Sequence, residues 1–176
     1  MPAVLIRLYR LTGRRDDLHQ AHNYLALPED LEVSDEHLVF YHENQEVCSW
    51  GIPRTRLSEE DPPVHVRFDE DAWRLDHERL SDFLVAMLLF QASMGGMAHS
   101  GFVEEFSQEI VAPEGWRRIE IIGPAWNAYA LAAEGQVLFV LRGREGEAVT
   151  VSAGARTNKL LRALEQTFGL CWDYSE

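Results

Sequence analysis

Lysine is almost absent from this chain: Lys159 stands alone against fifteen arginines in 176 residues. Cysteine is scarce too. Cys48 and Cys171 lie 123 positions apart and no C-x-x-C occurs, which excludes a zinc ribbon and a dithiol redox motif. Two reduced thiols in a cytoplasmic protein are the expectation. Long hydrophobic runs are missing. The longest strongly apolar stretch, "FLVAMLLF" at 83 to 90, has eight residues, where a membrane span needs about twenty. The N-terminus, "MPAVLIRLYRLTGRR", has no basic region ahead of its apolar stretch and no small-residue cleavage site close behind, so no signal peptide is read. There is no G-x-S-x-G and no phosphate loop, and "GREGEA" at 143 to 148 reads as a hairpin turn because no helical pattern follows it. "HSG" at 99 to 101 lacks a serine-hydrolase setting.

What the chain does have is acid. Its formal net charge is -13, and the spread is uneven. Residues 29 to 82 hold 16 acids against 5 arginines, so -11 of the total sits there. Such a surface repels phosphate backbones, which argues against direct nucleic-acid binding. It attracts a basic partner and speeds the encounter, or it serves solubility alone. Apolar residues at 46% and charged residues at 26% are ordinary for a globular protein. The length suits one domain with a real core.

The period of the pattern changes along the chain. Val4, Leu5, Leu8 and Leu11 have helical spacing, which predicts a helix over 2 to 11, stopped by Gly13. A second helical segment is predicted over 15 to 26. Then "LVFY" and "VCSWGI" flank "HENQE" as a hairpin, with Asn44 suited to a left-handed turn position. "VHVRF" at 64 to 68 predicts a strand, and "DEDAWRLDHE" after it a polar loop holding Trp73. "LSDFLVAMLLFQA" is the clearest helix, with Ser81 as cap and Leu80 stapled onto Val85. It is apolar on so many sides that it should be packed on more than one. Residues 97 to 116 carry no clear period. Four short strand patterns follow, "RRIEII", "NAYALAA", "VLFVL" and "AVTVS", with Gly-bearing connections that imply an antiparallel meander. "TNKLLRALEQTFG" closes the chain as a helix capped by Thr157 and stopped by Gly169. The order of elements gives an α+β fold, a mainly antiparallel sheet with helices packed on it.

Several chemistries have partial signatures in the chain. His19 and His22 make an H-x-x-H, but there is no H-E-x-x-H and no acid at a telling spacing, so solvated or capping histidines are expected. Asp69, Glu70 and Asp71 begin like a calcium loop, yet Trp73 and Arg74 fall where an oxygen ligand and a glycine are needed. Adjacent Glu104 and Glu105 point to different faces of any regular element and read as solvated surface. Trp50, Trp116, Trp126 and Trp172 adjoin predicted strands or helix ends and read as core or core rim. Trp73, in acidic surroundings, is the tryptophan suited to anchor a partner. No metal and no cofactor is expected.

The run "FYHENQEVCSWGI", then "DPPVHV", then Trp73, then "LSDFLVAMLLFQA" resembles the SUKH superfamily, which includes fungal cell-wall-assembly regulators and bacterial immunity proteins that neutralise polymorphic toxins. The resemblance covers about residues 25 to 96. The positions that match are Glu43, Asn44, Gln45, Trp50, Gly51, Asp61, Pro62, Pro63, Trp73, Leu80, Phe83 and Leu84, while Glu46, Ser49 and Pro53 depart from it. It implies a single SUKH-like domain over 1 to 176: a family-matching half, 1 to 96, then a strand-rich meander and C-terminal helix, 97 to 176. It also implies a non-enzymatic binding scaffold that neutralises a toxin by stoichiometric contact. A housekeeping regulatory scaffold of the same fold is the alternative, and a metal-dependent enzyme built on His19, His22 or the 69 to 71 acids a further one. The expected partner is a protein, a basic toxin domain, with neither nucleic acid nor membrane involved. Contact is expected through Glu43, Asn44, Gln45, Glu59, Glu60, Asp61, Asp69, Glu70, Asp71 and Trp73. Glu43 and Gln45 also suit a structural role, satisfying backbone groups across the hairpin.

Overall fold

The structure is a computed structural model and describes residues 1–13, 15–69, 71–143 and 145–175. The fold is α+β, with two antiparallel sheets where the sequence pattern implied one. The chain divides into two compact units, residues 1–87 with 123–125 and residues 88–122 with 126–176.

The first unit opens with α1 (Ala3–Thr12) and the short α2 (Asp16–His19). The helix expected over 15 to 26 ends early, because Tyr24–Leu25 forms a strand, β1, paired with a later one. In α1, Leu5 is buried but Leu11 is 75% exposed, so the apolar stripe is shorter than its spacing implied. The sheet continues with β2 (Glu32–Ser34), β3 (His37–His42), β4 (Cys48–Pro53), β5 (Val64–Phe68) and β6 (Arg74–His77). Its order is β1-β3-β4-β5-β6, with β2 also paired to β3. β6 lies inside the segment expected to be a loop. Its sequence, Arg74-Leu75-Asp76-His77, lacks β-branched residues, and pairing to β5 overrides that weak propensity.

A register shift between Val39 and Tyr41 marks a bulge at Phe40. It lets two consecutive aromatics reach one partner: Phe40 and Tyr41 each meet Phe83 with ring centroids 5.5 Å apart. Trp50 joins them at 5.7 Å. Phe83 belongs to α3 (Leu80–Gln91), which buries Phe83, Leu84, Ala86, Met87, Phe90 and Gln91 around most of its circumference. Leu80 is buried while Val85 is 44% exposed, so the expected staple does not form.

The second unit takes up the end of α3, a π-turn at Ala92–Gly96, and the sheet order β12-β7-β11-β10-β9-β8. Its strands are β7 (His99–Val103), β8 (Arg117–Ile122), β9 (Asn127–Ala133), β10 (Gln136–Arg142), β11 (Ala148–Ala155) and β12 (Tyr174–Ser175). The meander β8 to β11 matches the four patterns read from the sequence, and β7 arises where no period was legible. Helix α4 (Asn158–Phe168) has Thr157 as its cap, with the side chain accepting from the Leu160 amide, and Gly169 in a left-handed conformation ends it. Leu161, Leu164 and Phe168 join Tyr129, Leu131, Leu138, Val140 and Val151 in one core. On the other sheet face, Phe90 and Trp126 pack on Phe139. Gly154 of β11 allows the π-turn to approach, since a Cβ there would collide with the Ala92 carbonyl. Among the described residues no helix is long and apolar enough to cross a membrane.

Candidate functional site

The β3–β4 turn is organised by its first acid. Glu43 Oε2 accepts from the Gln45 amide at 2.7 Å and from the Val47 amide at 3.2 Å, and the Glu43 amide donates to the Cys48 carbonyl at 3.0 Å. The Asn44 amide donates to Asn23 Oδ1 at 3.3 Å. The left-handed residue of this turn is Glu46, with φ 62°, not Asn44. Once Glu43 has gathered the two amides, the chain reverses handedness just before rejoining β4, and that position falls one residue beyond Gln45. Gln45 itself is exposed.

Sheet register distributes the expected contact residues to two ends. Cys48 pairs with Phe68 and Gly51 with His65, so residues 43 to 47, Asp69 and Asp71 lie at one end of the sheet and residues 54 to 63 at the other. At the first end the Asp69 amide donates to the Val47 carbonyl at 3.1 Å and ties the two hairpin tips together. Glu43, Asn44, Gln45, Glu46, Asp69 and Asp71 gather there, with Asp71 paired to Arg74 at 3.3 Å. Cys48, beneath these tips, has its thiol pushed up to about 12 by burial, then by Glu43, Asp76 and Asp69. Glu70 lies outside the described residues.

At the second end most charge is spent internally. Arg56 pairs with Glu59, Arg54 with Glu36 at 3.5 Å, and Arg79 with Asp61 at 2.9 Å. Glu60 is exposed, and its carbonyl accepts from the Val4 amide. Asp61 is a helix cap supplied from a distant loop. Its Oδ1 accepts from the Ser81 amide at 2.8 Å and its Oδ2 from the Ser81 hydroxyl at 2.7 Å. Ser81 is thus the capped residue and not the cap. Burial raises the Asp61 pKa, but the bonds from Ser81 and Arg79 outweigh it and the net shift is downward.

Trp73 lies back on the sheet. Its ring stacks on His37, centroids 4.4 Å apart and 17° between planes, and the Arg67 guanidinium sits 4.9 Å from its centroid. Arg67 also pairs with Asp35 at 2.5 Å. Gly51 lies beneath, where a Cβ would come within 3.0 Å of both His37 and Trp73. His37 Nε2 is 3.0 Å from His65 Nδ1.

Two arrangements gave no sequence signal. Asp76 is a buried carboxylate between the Trp50 indole N–H (3.1 Å) and His77 Nδ1 (2.9 Å), with the Ala125 amide at 3.4 Å. Strand alternation puts Leu75 and Asp76 on opposite faces, but hydropathy would send the leucine inward, whereas Leu75 is 43% exposed and Asp76 is buried. In the second unit, Arg118 and Arg142 both lie over the Tyr129 ring, at 3.8 and 4.7 Å, and both pair with Glu120. They line a cavity of about 450 Å³ that Glu109 and Glu147 also border, so its charges balance without favouring an anion. His19 and His22 do not share a helix face, because α2 ends at His19, and among the described residues no cluster of three metal-ligating side chains forms. No protein-family model matches the chain, and neither the curated proteins nor the solved structures yield a significant match.

Proposed function

We propose that this chain is a protein-binding module that acts by stoichiometric contact, without turnover, and that its partner is a basic protein domain docked at the hairpin-tip end of the first sheet. The observation that carries the reading is the junction of the two tips by the Asp69 amide, which concentrates Glu43, Glu46, Asp69 and Asp71 against Arg74. The other arginines of the acidic segment are engaged at the opposite end or on the sheet face. The unbalanced negative charge therefore favours docking at the tips. The SUKH-type motif order in residues 25 to 96 supports the narrower version, an immunity protein that silences a toxin.

The test is affinity capture from source-cell lysate at low and high salt, repeated with the triple variant E46Q/D69N/D71N. These isosteres keep the turn conformations and leave Glu43, which holds the turn. One stoichiometric partner with a toxic activity silenced on binding is the expected result. With about 0.5 kcal/mol for each exposed ion pair, the variant should bind roughly tenfold more weakly and show a flatter salt dependence. The pair E59Q/E60Q at the other end should bind like the parent. Equal binding by the triple variant refutes tip docking. Scattered, salt-labile partners would replace the immunity reading with that of a regulatory scaffold.

A further inference from the structure

The face of the first sheet that carries Gly51 holds an assembly that polar packing alone does not require. Two imidazoles meet nitrogen to nitrogen, His37 Nε2 to His65 Nδ1 at 3.0 Å. The outer nitrogen of His37 fixes the protons. Its Nδ1 lies 2.8 Å from the Asp35 carbonyl, which only accepts, so Nδ1 carries a hydrogen. Neutral His37 then offers a bare Nε2, and His65 Nδ1–H donates to it. If His37 gains a proton, Nε2–H donates instead and His65 must present a bare Nδ1. Either way the contact holds one shared hydrogen. A pair that is doubly charged presents two N–H groups to each other and cannot keep it.

Trp73 rests on this pair. Its ring stacks on His37, and its edge fills the space over Gly51 that any Cβ would occupy. Its indole N–H is buried with no hydrogen-bond partner among the described residues, so the closed position already leaves a donor unmet. Among the described residues the surrounding charges do not supply an acid to hold a second proton. Arg56 acts on His65 from the loop after β4, Arg67 of β5 lies over Trp73, and Asp35 is taken by Arg67. Glu36 of the same turn is taken by Arg54, and Asp71 before Trp73 by Arg74.

We propose that His37, His65 and Trp73 form an acid-released latch: on acidification the histidine pair takes up its second proton and separates, and Trp73 swings off Gly51 to expose its indole and the sheet beneath. Burial, the His37 ring and Arg56, in that order, all hold the His65 pKa below the usual histidine value, so the closed form persists at neutral pH. A single charge on His37 strengthens its stack on Trp73, which makes opening a property of the second protonation. The latch concerns the sheet face and stands independently of docking at the tips.

The experiment is a pH titration of the uniformly 15N-labelled protein from 7.5 to 5, following the indole N–H cross-peaks of the five tryptophans, with Trp73 assigned by W73F. The latch predicts that the Trp73 signal alone moves and exchanges faster with solvent below the histidine range, and that H65Q abolishes the movement. H65N serves if H65Q lacks the dispersed spectrum of the folded chain. In the parent, the His65 Cε1–H signal should titrate over the range in which Trp73 moves. A Trp73 signal that stays fixed, moves equally in the His65 variants, or moves only together with the other four overturns the proposal.

Discussion

At the scale of single residues, the buried polar atoms fix more of this structure than the exposed acids do. Asp76 shows how. A carboxylate with no exposed side-chain surface is tolerated only where donors surround it, and here an indole, an imidazole and the 125 amide do so. Gly123 keeps the approach open, since a Cβ there would sit 2.5 Å from Asp76 Oδ1. Asp76→Ala takes the acceptor from the Trp50 indole and the His77 ring and leaves a hole among the strands. We expect a loss of about 3 kcal/mol, the cost of leaving buried donors unmet, read as a lower urea midpoint at unchanged m-value. Asp76→Asn keeps one acceptor oxygen and should lose roughly half as much. Equal loss in both would show that volume, not hydrogen bonding, is what Asp76 supplies.

At the scale of elements, α3 depends on a residue nineteen positions before its start. Asp61 caps it through Ser81, and because the cap comes from another loop it also fixes where "DPPV" delivers β5. Asp61→Ala should cost about 1 kcal/mol or slightly more, the usual worth of a cap, and Asp61→Asn distinctly less because it still accepts. The depressed Asp61 pKa gives the effect its sign with pH. Its contribution is present above the ordinary carboxylate value and is lost as pH falls through the lower, folded-state value, so parent and Asp61→Ala should converge in stability on strong acidification. Elements with a strong local pattern were legible: α3, α4, the β3–β4 hairpin and the β8 to β11 meander each carry their own period and stop signals. What was not legible depends on partners far away in sequence. β1 and β6 are strands because β3 and β5 offer free edges to them, and the true α3 cap is an acid that the sequence recommends as a surface contact. The same holds for the contact residues. Their exposure was readable from charge, but the register that sends Asp69 and Asp71 to one end and Glu59 to the other was not.

At the scale of the whole molecule, the excess of acid makes mild acidification look harmless, since protonating carboxylates relieves self-repulsion. The histidines argue otherwise. His19 is buried, and its Nε2 lies 2.7 Å from the Thr12 hydroxyl, which itself donates to the Leu8 carbonyl. Nε2 therefore carries the hydrogen and Nδ1 is a bare acceptor, buried and without a hydrogen-bond partner among the described residues. A proton added at Nδ1 would be a buried charge with no acceptor among them. Burial lowers the pKa of His19, His22 and His65 alike. A histidine whose folded pKa lies below its unfolded one takes up its proton more readily unfolded, so stability is full above the ordinary histidine value and declines as pH falls below it. The lowered Asp17, Asp61 and Glu120 act in the same direction only further down, below the ordinary carboxylate range. We therefore expect acid to weaken the protein in two stages, a first loss below about pH 6.5 and a second below about pH 4. His19→Gln keeps the donor to Thr12 and removes the titration, so it should flatten the first stage and leave the second in place. Urea midpoints at half-unit intervals from pH 8 to 3 would measure both. A midpoint that stays level down to pH 5, or one that His19→Gln leaves unchanged in that range, would mean that these histidines meet acceptors on protonation and that the carboxylates alone govern acid stability.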